Sequence, residues 1–466
     1  MDYEAFEAKF LSKVERNKSC SKLIKQNEKL VKERLSGDFD TLKPFIEKLI
    51  EAILKAKKFK EVENSLRNPL FTDVLNAFRQ SDVLVKACET EKKDAAKWLC
   101  TMSIDPLVCD KKKRIALMFA ASYWNLSSIV DNLLKQDLSQ LKMADEDGNT
   151  ALFYSVKVKD NFGKLIKYKT DINYRNNQGD TIFTHICRSN KPKLVRDLFT
   201  YQSDIDLGVI NNEGRTAAMY MAYNYNFPEL RFLCLKNPFT ENPDLKLDYM
   251  NKNGETVVNI IIHKYIENFT NSTVPHTYTP FGVAPTTTGT TQCKNYARTI
   301  NTLIDIGCDF NCTVDGDGNT PLMFFLMVKD YISAYNLLLY CKNMDISKCN
   351  KYGVNASYLG AILTPKDFEG LDSIKDFLFT KISYEKFEEA LKSYPTFDRK
   401  RYGENGDVVE VNPDHVHPYS TPEKILTIQS ALSEGYYARG HEDGSDDLID
   451  KIGGPLLGLQ VANPFA

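Results

Sequence analysis

The chain has 466 residues, more than one ordinary domain needs. Hydrophobic residues make up 42% and charged residues 26%, the balance of a folded protein that faces water. Sixty basic against 62 acidic residues leave a formal net charge of −2, which excludes any general pull toward nucleic acid or anionic membrane.

The chain begins Met1-Asp2-Tyr3-Glu4, without the basic start and apolar core of a secretory signal. A membrane span needs about 18 uncharged apolar residues in a row, and no such run occurs. Eleven cysteines are scattered with no C-x-x-C pair. Reduced thiols and a cytoplasmic setting, with the nucleus as the alternative, are expected.

Residues 1–79 are predicted helical and are dense in Lys and Glu. Leu23, Ile24, Leu30 and Val31 mark one helix. Leu42, Phe45, Ile46, Leu49, Ile50, Ile53 and Leu54 mark another at i, i+3, i+4, i+7 spacing. Gly37, Asp38 and Asp40 signal its start, and Pro44 is expected in its first turn, where a missing N–H costs little. The region reads as a helical cap that packs on the neighbouring downstream helices; a separate partner-binding module is the alternative.

A repeat then sets in. Asp145-Glu146-Asp147-Gly148-Asn149-Thr150 has in-frame copies starting at Asn176, Asn211, Asn251 and Asp315. Their glycines, Gly148, Gly179, Gly214, Gly254 and Gly318, lie 31, 35, 40 and 64 residues apart, and a weaker copy puts Gly353 another 35 on. Asn or Asp shortly before Gly predicts a tight turn, because Gly accepts positive φ without steric cost. Thr two residues later (Thr150, Thr181, Thr216, Thr256, Thr320) predicts a helix N-cap. A second helical run comes after each first helix, with apolar stripes such as Ile129, Val130, Leu133, Leu134 and Leu194, Val195, Leu198, Phe199.

The period of about 33 residues, the Asp/Asn-x-x-Gly-x-Thr turn and the paired short helices resemble the ankyrin repeat family. Thr320-Pro321-Leu322 is similar to its Thr-Pro-Leu-His element. No copy has the His; Phe153, Thr184, Met219, Asn259 and Met323 stand there instead. The resemblance implies an all-α, ankyrin-type helical repeat solenoid with short β-turn or hairpin tips, over residues 80–380. A degenerate copy at Asp110-Lys111-Lys112-Lys113, followed by Ile115 to Ala120, extends it upstream, as does a helix pair at Val83–Cys88 and Ala95–Leu99.

The step of 64 residues contains a threonine-rich stretch at about 270–294, with Pro275, Pro280 and Pro285 and no apolar period, which reads as a loop insertion. Stripes at Ile374, Phe377, Leu378 and at Phe387, Ala390, Leu391 lead into a helical C-terminal cap at 381–395. Beyond 396 the composition turns to Gly, Asp, Pro and charge, and a mostly disordered tail is expected, with one amphipathic stretch at Pro422–Leu432. Near its end Asn463-Pro464-Phe465 resembles the tripeptide bound by EH domains of endocytic and vesicle-traffic proteins. Asn and Pro turn the chain and expose Phe as an apolar anchor. A second copy is Asn237-Pro238-Phe239.

Catalytic signatures are missing: no G-x-x-x-x-G-K-[ST], no G-x-S-x-G and no H-E-x-x-H. His415 and His417 form the one close histidine pair and read as a polar loop; His185 and His263 read as structural; Trp98 and Trp124 read as packing residues. No catalytic, cofactor or metal site is assigned. The expected function is a non-enzymatic protein-interaction scaffold or adaptor, linked to trafficking through its tail; the alternative is a regulatory or inhibitory subunit. The resemblance implies that the turn tips and first helices line a concave binding surface, and binding is assigned there to turn-tip residues free to reach out: Asp145, Glu146, Asn176, Asn177, Asn211, Asn212, Asn251, Lys252, Asp315 and Asp317, with Asn463, Pro464 and Phe465 in the tail. Other proteins, an EH-domain protein among them, are the expected partners. These tips lean acidic, which points to a basic partner surface.

Overall fold

A computed structural model describes residues 2–168, 170–202, 204–224, 226–235, 244–270, 299–328, 330–341, 343–368 and 382–398. The insertion beyond Thr270, the Asn237-Pro238-Phe239 copy, the stripe at Ile374, Phe377 and Leu378, His415, His417 and the tail with Asn463, Pro464 and Phe465 lie outside them. Among the described residues the regular structure is helical, apart from two isolated antiparallel bridges, Cys109 with Ile115 and Ala144 with Thr150. The expected all-α repeat architecture is the one that forms.

The chain divides into two compact units near residue 246. The first opens with Tyr3–Glu15, Ser21–Gln26, Glu28–Arg34, Phe39–Lys55, Lys60–Leu66 and Thr72–Arg79. Phe10 stacks on Phe71 at 5.1 Å and lies against Phe45 at 5.8 Å, all three buried. Asp38 caps Phe39–Lys55 by accepting from Thr41 N. The helix therefore starts earlier than the apolar stripe suggests, and Pro44 sits inside it rather than in its first turn. It is tolerated because the carbonyl that loses its partner belongs to Asp40, which is exposed to water.

Helix pairs come next: Val83–Glu89 with Lys93–Leu99, Ala116–Ser122 with Ser127–Gln136, Ala151–Ser155 with Lys159–Leu165, and Ile182–Arg188 with Pro192–Tyr201, then Ala217–Tyr223. First helices pack on first helices and second on second, copy after copy. The sequence explains the two layers. Ala116 to Ala121 are buried without a break, so that helix is sandwiched on every side. Pro192–Tyr201 buries only Leu194, Val195, Leu198 and Phe199, one stripe of an outer helix. A helix of seven residues is far too short to persist alone. Each instead depends on burying side chains against its neighbours, at about 1.5–3 kcal/mol for a large apolar one.

Recurring side-chain bonds tie outer helices together. The Gln136 amide donates to the Cys100 carbonyl at 2.7 Å, and the Gln202 amide to the Ile166 carbonyl at 2.9 Å. Both satisfy a carbonyl at the open end of the preceding helix.

In the second unit Val257–Thr270 packs on Pro321–Met327, whose seven residues are all buried. Tyr331–Tyr340 and Ala356–Ala361 continue the pattern. Tyr384–Lys392 covers the last pair with Phe387, Ala390 and Leu391, and Tyr394 Oη lies 2.9 Å from the carbonyls of both Leu338 and Cys341, which share its one proton.

Candidate functional site

The turns form as the sequence predicts, but their first residue points inward. Asn176 Oδ1 accepts from Gln178 N and Asp180 N, each at 3.0 Å. Asn211 does the same for Glu213 N and Arg215 N, Asn251 for Asn253 N and Glu255 N. Asp145 and Asp315 fold back identically over their own turns. The glycines of these turns hold φ between +74° and +81°, as the reversal requires.

This overturns part of the assignment of free tip residues. Asp145, Asn176, Asn211 and Asn251 are only 4–8% exposed; the turn takes the amide oxygens and Asp145 Oδ1, and Asp145 Oδ2 accepts from Tyr154 Oη at 2.6 Å. Asp315 is half-buried with the same bonds. None of the five is free to reach out. Within each unit the other side-chain atoms of such residues build polar contacts between neighbouring copies. Asn176 Nδ2 donates to Asn149 Oδ1 at 2.8 Å, Asn211 Nδ2 to Asp180 Oδ1 at 2.7 Å, and Asn350 Nδ2 to Asn319 Oδ1 at 2.9 Å. Asp180 is fully buried and also holds Arg188 at 3.0 Å. Tyr220 sits above Asn211, donating to Glu213 Oε2 at 2.9 Å. Burial pushes its phenol up to about 12, so it remains a donor.

The second residue of each turn is the one that faces solvent: Glu146, Asn177, Asn212 and Lys252 are exposed. Asn177 and Asn212 are nonetheless anchored, their amides donating to the carbonyls of Glu146 and Asn177 at 2.7 and 2.8 Å. Backbone bonds run along the same row: Glu146 N to Lys112 O, Asn177 N to Asp147 O and Asn212 N to Gln178 O, at 2.9–3.0 Å. In the second unit Lys351 N donates to Asp317 O, and half-buried Asp317 pairs with the Lys351 ammonium. The tips are thus a hydrogen-bonded ridge with side chains standing on it.

The degenerate copy is a genuine turn. Asp110 Oδ1 accepts from Lys112 N at 2.8 Å and Arg114 N at 2.9 Å, and Lys113 takes the glycine position at φ +59°. Left-handed backbone strains a residue with a Cβ by about 1–2 kcal/mol. Lys113→Gly is therefore expected to stabilise the chain by about 1 kcal/mol, read as a rise in the urea midpoint at constant m-value. Lys111, Lys112 and Lys113 are all exposed, so this tip is basic where its neighbour, Glu146 and Asp147, is acidic.

The expected Thr caps form in four copies: Thr181, Thr216, Thr256 and Thr320 accept from the N–H three residues on, at 3.1–3.3 Å. Thr150 makes no such bond. Where the resemblance would place His, Asn259 instead accepts from Thr256 N at 2.7 Å, closing a reciprocal cap.

A second recurring turn has no counterpart among the sequence expectations. After the outer helix, Asp171 Oδ1 accepts from Asn173 N at 3.1 Å and Asp309 Oδ1 from Asn311 N at 2.8 Å. Asn173 then bridges to Asp204 O and Asp206 N, and Asn311 to Asn343 O and Asp345 N. The Asp-x-Asn signal is present at both places. Beside the first of these turns lies a cavity of about 430 Å³, walled by Leu141, Leu152, Phe153, Ile172 and Ile182. Leu138, half exposed, stands at its mouth. Thr170 Oγ1 in its wall is buried without a hydrogen-bond partner among the described residues.

Trp98 packs as expected, stacked on Phe59 at 4.8 Å and donating to Glu63 Oε2 at 3.1 Å. Trp124 does not: it is 78% exposed, because it occupies the turn between two helices rather than either buried face. His263 Nε2 is bonded to the Val314 carbonyl at 2.6 Å. Burial holds the His185 pKa below the usual range. Among the described residues no group of His, Cys, Asp or Glu is placed to hold a metal ion, and no helix is long and apolar enough to cross a membrane.

Residues 83–176 match the family model for ankyrin repeats, as three copies. No curated protein matches the chain. The match covers the first three helix pairs and ends on Asn176. The turn, its inward Asx and its bond to the previous tip recur beyond it, as far as Val354. Ankyrin repeats are protein-interaction modules, and residues 83–176 of this chain carry three of them.

Proposed function

We propose that the chain is a non-enzymatic adaptor that grips one protein along its turn tips and presents its tail to another, in the cytoplasm. The observation that carries this is the ridge: Glu146, Asn177, Asn212, Asp147 and Glu213 stand on backbone that neighbouring copies hold in register. Such a row has little ordering entropy left to lose on binding, which favours recognition of another folded surface. The apolar cavity at Leu138 supplies a socket for a single anchor side chain beside it. Nothing comparable favours catalysis, and the adaptor reading is preferred over an inhibitory subunit because Asn463-Pro464-Phe465 offers a second, independent contact.

The test is affinity purification from cells with the full chain, with Glu146→Lys/Asp147→Lys/Glu213→Lys, and with Phe465→Ala. The adaptor reading expects the ridge variant to lose one set of partners and Phe465→Ala to lose a different set, EH-domain proteins among them. Identical partner sets for all three proteins would remove the reading.

A further inference from the structure

We infer that the turns between the paired helices, on the side of the first unit away from the tips, form a second docking surface, centred on Trp124 and built for an acidic protein segment. The inference rests on the binding-protein reading and names the chemistry of one partner.

Three observations support it. Trp124 is 78% exposed, whereas a tryptophan has more apolar area to hide than any other side chain. Its platform is fixed: Asn161 Nδ2 from the next copy lies 3.0–3.2 Å from the carbonyls of Ala120, Ala121 and Tyr123, and the Asn125 amide donates to Glu91 Oε2 of the preceding copy at 3.1 Å. An exposed aromatic on rigid backbone is the form that binding anchors take.

The third observation is charge. The turns on either side present Lys92, Lys93, Lys157, Lys159, Lys191 and Lys193, all exposed. Among the described residues one of the six is in an ion pair, Lys159 with Asp197 at 3.3 Å. Three carboxylates interleave with them, Glu91, Asp94 and Asp160, and Glu91 is already engaged by Asn125. The row is therefore net basic and complements a partner of opposite sign. A membrane is the weaker fit, because each lysine contributes only about 1 kcal/mol at an anionic surface and a single indole cannot make up the rest.

The probe is a labelled peptide of about ten residues, Asp and Glu with one central Leu, long enough to cross several turns. Its anisotropy is titrated with the full chain, beside a Lys-for-acid counterpart and sedimentation on phosphatidylserine vesicles. Saturable binding of the acidic probe alone is expected. Trp124→Ala should weaken it about tenfold or more, and Lys157→Glu/Lys159→Glu should weaken it further, with melting temperatures unchanged because all three side chains are exposed. Three results overturn the proposal: equal binding of the basic counterpart, binding of the acidic probe that survives Trp124→Ala, or binding to vesicles only. In each case loss of partners by the ridge variant would still leave the adaptor reading standing.

Discussion

Asn211→Asp is expected to destabilise the first unit by about 3–5 kcal/mol, the cost of an uncompensated buried charge. Asn211 and Asp180 are 4% and 0% exposed, and the Asn211 amide donates to Asp180 Oδ1 at 2.7 Å. The substitution is nearly isosteric and keeps the oxygen that accepts from Glu213 N and Arg215 N. What changes is the other atom: a donor to a carboxylate becomes a second carboxylate oxygen at contact distance. Arg188 already serves Asp180, Gln178 and Glu213 and has no spare fork for the newcomer. Urea unfolding measures the loss. Part of it should return on acidification, because a proton shared between the carboxyls removes the repulsion. A variant as stable as the parent at neutral pH would mean the contact is not closed to water.

The second large effect separates two glycines with the same backbone angle. Gly179 and Gly254 have φ +78° and +74°. A Cβ on Gly179 would meet Asn212 Oδ1 at 2.6 Å and Asn212 N at 2.9 Å, whereas one on Gly254 meets nothing within 4 Å. Gly254→Ala is expected to cost about 1–2 kcal/mol, the left-handed penalty alone. Gly179→Ala adds an overlap with the backbone of the next copy, a further 1–3 kcal/mol or so. It should also lower the protection of the Asn212 amide against hydrogen exchange. Equal losses at the two sites would show that the tips are not in contact.

The frame of the array is legible in the sequence because turn, cap and stripe each impose a residue type at a fixed spacing. Gly179 and Thr181 announce themselves, as does the stripe from Leu194 to Phe199. The direction of the polar side chains is not legible. Asn176 and Asn177 are identical in type and adjacent, yet one is buried and the other exposed. The difference arises because only the first has the turn's amides within reach of its oxygen. Asp180, next after the glycine, gives no signal either, since its partners Arg188 and Asn211 come from different copies. The Asp38 start is legible, and only Pro44 is misplaced: counted from that cap it falls beyond the first turn. Trp124 misleads because composition favours burying an indole, and only the fold reveals that its turn has no layer above it.

The backbone bonds between neighbouring tips of the first unit share one polarity. Glu146 N, Asn177 N and Asn212 N each donate backward, to Lys112 O, Asp147 O and Gln178 O. During synthesis the acceptor therefore always emerges before the donor that will fill it. In these three copies the earlier turn leaves a carbonyl that the N–H of the next one fills. Growth of the row copy by copy, as the chain is made from its N-terminal side, is compatible with this order.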